Sequence, residues 1–299
     1  MWDNVINIKN FVAALFFRKD IPIISSIVLT DLCNLSCLHC AVSNIEKIHY
    51  PYEQIVGALK HFFKKGSRIV NFCGGEPFLW RDGDKTLCDV VRVAKSIGFR
   101  SIPIVTNGTY PMDIDCDTIL VSIEGDRDAH NKIRNDTYDL VLKNINESSS
   151  SNFYIFMSIN TINLHTIDSI ANLVVEHPKI NAISFNFHIP YNEKLRPLAM
   201  SQSQKEYAVN KIKSLINQGY PIVNTKAALN AYITGKWTPK TRYSQVFQNG
   251  EYFQCCRASV TNPNVCKECG YLYCIELDLI SQFNIPAIFQ SLRTFGKYW

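Results

Sequence analysis

The sequence predicts an α/β protein, a partial (β/α)6 TIM-like barrel followed by a small C-terminal module. Three observations carry that expectation. Six apolar, β-branched runs recur between residues 25 and 190, and helix-like stretches separate most of them. Strands that alternate with helices pair in parallel and are covered on both faces. Polar or glycine residues follow each of the six runs, at the strand ends where parallel barrels gather their chemistry.

The elements run as follows. Residues 1–24 contain "VINIKNFVAALFFRKDIPI", which reads as a helix packed on the core, with an interfacial amphipathic helix as the alternative. Strands are expected at 26–30, 67–72, 101–106, 118–123, 152–160 and 182–188. Helices are expected at 52–65, 84–97, 137–147 and 165–177, whereas the link 107–117 is too short for more than a turn. Six strands rather than eight make the barrel partial. Residues 25–190 form this barrel and 191–299 a second module. Within the latter, "SQSQKEYAVNKIKSLINQGY" carries a helix cap and a glycine stop. Residues 222–254 read as irregular, 255–274 hold a cysteine group, and "IELDLISQFNIPAIFQSLRTF" reads as one closing helix.

Composition narrows the function. The chain has 299 residues, a formal charge of +5, and 46% hydrophobic and 19% charged residues. No run of Lys or Arg points to nucleic acid. No apolar run reaches transmembrane length, and "FVAALFF" lacks the flanks of a secretory signal. Eleven cysteines without an export signal indicate ligands or redox groups in a reducing cytosol, and the odd count argues against a disulfide framework. The expected location is cytoplasmic, with peripheral membrane contact as a second expectation.

Cys33, Cys37 and Cys40 fall within the eight residues "CNLSCLHC". Zinc sites ordinarily take four protein ligands. A [4Fe–4S] cluster held by three thiolates keeps one iron open. Read singly, "GGEP" and "TNG" are ordinary turns, Ser122 alternates with apolar neighbours as a solvent-facing residue would, and His188 reads as a hydrogen-bonded residue.

Taken together, "CNLSCLHC" and "GGEP" resemble the CX3CX2C loop and GGEP segment of the radical S-adenosylmethionine (SAM) superfamily, over roughly residues 25–190. The resemblance implies a [4Fe–4S] cluster on Cys33, Cys37 and Cys40, with SAM bound at its open iron. It implies reductive cleavage of SAM to methionine and a 5′-deoxyadenosyl radical. It also implies that Gly74, Gly75 and Glu76 meet the methionine ammonium and that Pro77 fixes the turn. Thr106 and Asn107 would lie near the adenosine, Ser122 and Arg134 on the ribose or carboxylate, and His39 against the adenine. In "VSIEGDRDAHNKIR", Glu124 and Asn131 stand where the family usually carries Asp.

"CCRASVTNPNVCKECGYLYC" supplies a second ligand set: Cys256, Cys266, Cys269 and Cys274, with Cys255 as the alternate. A structural zinc knuckle is one reading. The likeness to a truncated SPASM/twitch-like extension implies an auxiliary [4Fe–4S] cluster instead. Cys73, Cys88 and Cys116 read as packing residues, and Cys73 is close enough to "GGEP" to reach the active site.

The function implied is a radical SAM enzyme served by a reductant such as flavodoxin or ferredoxin. Its substrate would be a peptide, as in the maturation of ribosomal peptides. The alternative is a lipid-like substrate, as in adenosyl-hopene-transferase-type enzymes, whose text "EGDRDAHN" resembles, although Val105 stands where a cysteine is expected. A non-enzymatic iron–sulfur carrier or a zinc-binding interaction protein is the reading from another class. The intact "GGEP" and the three-cysteine loop oppose it.

Overall fold

A computed structural model describes residues 22–239, 243–256 and 262–298 of the chain. The segment 1–21, with its two readings, lies outside them. Six strands follow one another in the expected order: β1 (Ile24–Val28), β2 (Ile69–Cys73), β5 (Pro103–Thr106), β6 (Thr118–Val121), β7 (Phe153–Ile159) and β8 (Ile180–Phe187). Each pairs in parallel with the next. A two-residue hairpin, β3 (Arg81–Asp82) and β4 (Lys85–Thr86), stands apart from this sheet.

The helices sit where periodicity places them. In α1 (Tyr52–Lys65), Ile55, Ala58, Leu59 and Phe62 form one buried stripe, and Gly66 stops the helix in the left-handed region at φ 104°. In α2 (Leu87–Ile97), Thr86 and Asp89 form a capping box. Then follow α3 (Arg127–Arg134), α4 (Tyr138–Glu147), α5 (Ile167–Glu176) and α6 (Gln202–Asn217). The short helix α3 was not expected; it opens on Asp126, whose side chain accepts from Ala129 N.

Residues 222–254 are not irregular. They contain α7 (Lys226–Thr234), β9 (Ser244–Gln248) and β10 (Glu251–Gln254). β9 pairs in parallel with β1, and β10 returns antiparallel, so the sheet has eight strands in the order β10-β9-β1-β2-β5-β6-β7-β8. The closing helix is two helices, α8 (Leu272–Ser281) and α9 (Ile285–Tyr298), because Phe283 takes a left-handed φ of 57° between them.

Two apolar cores flank the sheet. One joins β1, β2 and β5 to α1 and α2 through residues such as Ile27, Phe62, Phe72 and Val90. The other joins β6, β7 and β8 to α5, α6 and α7, and also takes in Leu272, Ile275, Leu279 and Ala287 from the last two helices. Each such buried side chain contributes about 1.5–3 kcal/mol.

Glu276 on α8 accepts from Thr225 N, the cap of α7, at 2.8 Å. Burial pushes its carboxyl up to about 7, although the Thr225 hydrogen bonds oppose the shift. The folded state therefore keeps a proton that the unfolded chain releases above its ordinary carboxyl value of 4.5. Stability should fall as pH rises from about 4.5 towards 7 and stay low above it. Glu276→Gln, which keeps the acceptor, should raise the melting temperature by about 4 °C at pH 8 and leave it unchanged at pH 4. Equal shifts at both pH values would show that this carboxyl does not titrate with folding.

Candidate active site

The thiol loop follows β1, and one carboxylate ties its two ends together. Asp31 accepts from Glu46 N, Lys47 N and Ile48 N at 2.5, 3.0 and 2.8 Å. Asn44 accepts from Cys33 N at 2.9 Å and donates to Leu35 O at 3.3 Å. Its left-handed φ of 58° suits asparagine. So folded, the loop presents Cys33, Cys37 and Cys40 to a single cleft of about 200 Å³. A larger hollow of about 470 Å³, between α6, α7 and α9, holds no cysteine or histidine, so the chemistry belongs to the smaller one.

The two glycines of "GGEP" are demanded by a close approach of backbones. Gly75 N donates to Thr30 O and Glu76 N to Leu32 O, both at 2.8 Å. A Cβ on Gly74 would stand 2.3 Å from Thr30 O, and one on Gly75 would stand 2.2 Å from Leu32 O. Glu76 lies behind the cleft, fully buried. Its Oε1 accepts from Phe78 N (3.0 Å) and Thr106 Oγ1 (2.8 Å), and its Oε2 from Asn107 N (2.8 Å). Burial raises its pKa, and the donors offset part of that. Pro77, buried beside it, opens a short 3-10 turn.

A buried ion pair stands on the β6 side. Arg134 donates through Nε and Nη2 to Glu124 Oε1 at 3.1 and 2.7 Å, and its Nη1 lies 3.8 Å from Cys37 Sγ. Glu124 Oε2 accepts from Ser158 N at 2.9 Å. Burial pushes Glu124 up, but Arg134 and His39 outweigh it and hold the carboxylate below its ordinary pKa. His39 Nε2 is 3.6 Å from Glu124 Oε1 and 3.5 Å from Arg134 Nη2. Burial drives its pKa down to about 4, so the ring is neutral at pH 7. Sequence reading missed His130, which builds this corner. It is fully buried, accepts from Glu124 N through Nδ1 at 3.2 Å, and meets Thr137 Oγ1 through Nε2 at 3.1 Å.

β8 and the C-terminal segment build the remaining wall from Asn186, Phe187, His188, Ile189, Tyr191 and Tyr271. Gly270 is pressed onto the end of β8: a Cβ there would lie 1.9 Å from Phe187 O, and Phe187 N donates to Gly270 O at 2.9 Å. The second cysteine group thus reaches from β10, where Cys255 N donates to Ser244 O, to β8. Cys255 Sγ lies 3.8 Å from Cys274 Sγ, and the Cys274 thiol is also hydrogen-bonded to Cys269. Tyr191 and Tyr271 are hydrogen-bonded to each other beside Cys256 and Cys269.

Gly74, Gly75, Thr106, Asn107, Ser122, Arg134 and His39 line the cleft with the three loop thiols, whereas Glu76 and Pro77 do not. Ser122 is buried rather than solvent-facing. Cys73 does not line the cleft, and Cys88 is exposed rather than packed.

The loop suits an iron–sulfur cluster. Leu35 N and Asn107 Nδ2 lie 3.4 and 3.7 Å from Cys33 Sγ, Arg134 Nη1 is directed at Cys37, and Val42 N lies 3.5 Å from Cys40 Sγ. Donors aimed at sulfur favour thiolates and tune a cluster. Without such a group, burial pushes the Cys33 thiol up to about 11. Among the described residues no three Cys, His or carboxylate side chains converge on a point fit for one metal ion. His39 Nδ1 is a buried polar atom without a partner.

Comparison with known proteins gives the same direction. The model of the radical SAM superfamily matches residues 27–174. Fe-coproporphyrin III synthase of Methanosarcina barkeri is 26% identical over 232 residues, covering 69% of this chain and 55% of that protein. The probable GTP 3′,8-cyclase of Saccharolobus solfataricus is 32% identical over 130 residues, 40% of this chain and 41% of that one. The chain thus spans about half the length of the curated relatives it matches. Among solved structures, SuiB of Streptococcus suis bound to precursor peptide SuiA aligns with a TM-score of 0.64 at 13% identity, over 87% of this chain and 66% of that one. The enzyme anSMEcpe with bound AdoMet and the Kp18Cys peptide aligns at 0.61 and 15% identity, over 86% and 83%. These structural likenesses concern the fold.

Proposed function

The chain belongs, through residues 27–174, to the radical SAM superfamily, and on that footing we propose that it cleaves SAM reductively and directs the resulting radical at a peptide. What supports the reading most is one convergence. Cys33, Cys37, Cys40, Gly74, Gly75, Thr106, Asn107, Ser122 and Arg134 come from five separate segments and line the same cleft.

A [4Fe–4S] cluster on the three loop thiols, when bound, supplies the electron that splits the sulfonium of SAM into methionine and a 5′-deoxyadenosyl radical. The protein's part is positioning. Asn107 and Arg134 direct donors at Cys33 and Cys37. Glu124 neutralises Arg134, so a SAM carboxylate would share a guanidinium already engaged. The Gly74–Gly75 backbone and Ser122 remain for the other polar atoms of SAM. Neutral His39, which lines the cleft, offers the adenine a ring face. We assign Cys269 and Cys274 to an auxiliary cluster, with Cys255 preferred to Cys256 because its sulfur meets Cys274, and Cys266 as the further ligand. A flavodoxin or ferredoxin would deliver the electron.

The peptide is favoured over a lipid because two proteins of similar fold were solved with peptides bound, and the cleft wall carries polar Asn186, His188, Tyr191 and Tyr271. Anaerobic reconstitution should give about eight irons per chain. Dithionite and SAM should then yield 5′-deoxyadenosine. No 5′-deoxyadenosine from iron-loaded protein would overturn the reading, and about four irons with one zinc would remove the auxiliary cluster.

A further inference from the structure

We propose that His188 is the proton acceptor of the substrate-facing wall, taking through Nδ1 the proton of a substrate N–H or O–H group beside the reacting carbon. The proposal rests on the radical SAM reading and adds to it the group that handles a proton rather than a hydrogen atom.

The geometry fixes the tautomer. His188 Nε2 lies 3.0 Å from Leu195 O. A carbonyl can only accept, so Nε2 carries the hydrogen and Nδ1 keeps a lone pair. Among the described residues no donor reaches Nδ1. It is also not one of the fully enclosed polar atoms that lack a partner, as His39 Nδ1 is. Since His188 lines the cleft, that lone pair opens on it. The backbone beneath is rigid: His188 N donates to Ile159 O at 2.8 Å, and Gly270 is pressed on Phe187 next door.

Elimination points to the same nitrogen. Glu124 gives one oxygen to Arg134 and the other to Ser158 N. Glu76 lies behind the cleft with both oxygens occupied. Tyr191 and Tyr271 are held protonated by burial. No aspartate lines the cleft. His188 is therefore the base left with an open lone pair among the described residues of this wall. The charged or titratable groups around it are Glu124, Arg134, His39, the thiols of Cys33, Cys37 and Cys40, Tyr191 and Tyr271. Burial outweighs the opposing pull of the Leu195 carbonyl and Glu124 and holds the ring neutral near pH 7.

The step balances simply. The substrate X–H bond breaks, its electron pair stays on the heteroatom, and the proton joins Nδ1. The imidazolium so formed keeps its hydrogen bond to Leu195 O and is attracted by the Glu124 carboxylate. The favoured substrate thus carries an amide, amine or hydroxyl group next to the carbon that loses hydrogen.

Two measurements on the full chain test this. In the metal-free protein labelled with ¹⁵N-histidine, His188 should show a protonated Nε2 and a bare Nδ1 at pH 7. A hydrogen on Nδ1, or an imidazolium, would overturn the proposal. Diethyl pyrocarbonate, which attacks unprotonated imidazole nitrogen, should label His188 with a half-maximal rate below pH 6.5. In the reconstituted protein, added SAM should change that rate by no more than about twofold, whereas suppression beyond about tenfold would place His188 against SAM and end its substrate role. 5′-Deoxyadenosine is measured in the same sample. Its absence removes the radical reading and the proposal with it, while a wrong tautomer removes only the role of His188.

Discussion

Alanine at Cys37 should leave a folded protein that forms no 5′-deoxyadenosine. Cys37 is the central thiol of the loop and the one to which Arg134 Nη1 is directed, at 3.8 Å. Two thiolates cannot hold an open-iron cluster as three do. Iron should fall from about eight to about four per chain, since the second group is untouched. The loop itself should survive, because Asp31 and Asn44 close it without help from the thiol. The metal-free melting temperature should therefore move by less than about 3 °C. Cys88→Ala, on the exposed face of α2, should keep iron and cleavage alike. Product from Cys37→Ala at the wild-type rate would mean that another residue holds the cluster.

Alanine at Glu76 should unsettle the fold rather than only the chemistry. Three donors, Phe78 N, Asn107 N and Thr106 Oγ1, lose their acceptor in a fully buried place. Each unsatisfied buried donor costs about 1–3 kcal/mol. Partial rehydration of the cavity leaves a net loss of about 3–5 kcal/mol, a large share of ordinary stability. The metal-free variant should melt about 5–10 °C below the wild type. This is the measurement that separates two roles for the residue. The family resemblance implies charge near the methionine ammonium, whereas the geometry shows a clamp between β2 and the end of β5. A metal-free melting temperature within about 2 °C of wild type would dismiss the clamp.

Much of this was legible because the six strands β1, β2, β5, β6, β7 and β8 are mostly apolar and β-branched or aromatic runs, and such runs stand out from the helices between them. The three loop cysteines and "GGEP" were legible as spacing. Other parts failed for physical reasons. β9 (SQVFQ) buries only Ser244 and Phe247, three residues apart, so no period-two pattern marks it. Its hairpin with β10 did carry a signal. Asn249 and Gly250 take φ 48° and 80°, the left-handed pair of a tight turn that "NG" between strands announces. The break between α8 and α9 rests on the backbone of Phe283, a residue type that gives no warning of it. Asp31 acts on backbone amides 15 to 17 residues along the chain, and His130 joins Glu124 N to Thr137 Oγ1 across the turn into α3; no spacing pattern reveals such partners. Spacing names Cys256 as a ligand and Cys255 as its alternate, and the fold brings the Cys255 sulfur to Cys274.

The pairing of β1 with β9 also bears on how the protein comes to exist. Ile24 lies beside Ser244, so β1 waits for a strand made some 220 residues later. At ordinary synthesis rates that wait is at least about 10 s. Throughout it, one flank of β1 offers unpaired amides and carbonyls to any passing strand, the usual hazard of an open edge. The thiol loop hangs from that same strand. Its cysteines are therefore translated well before the strand that closes the flank.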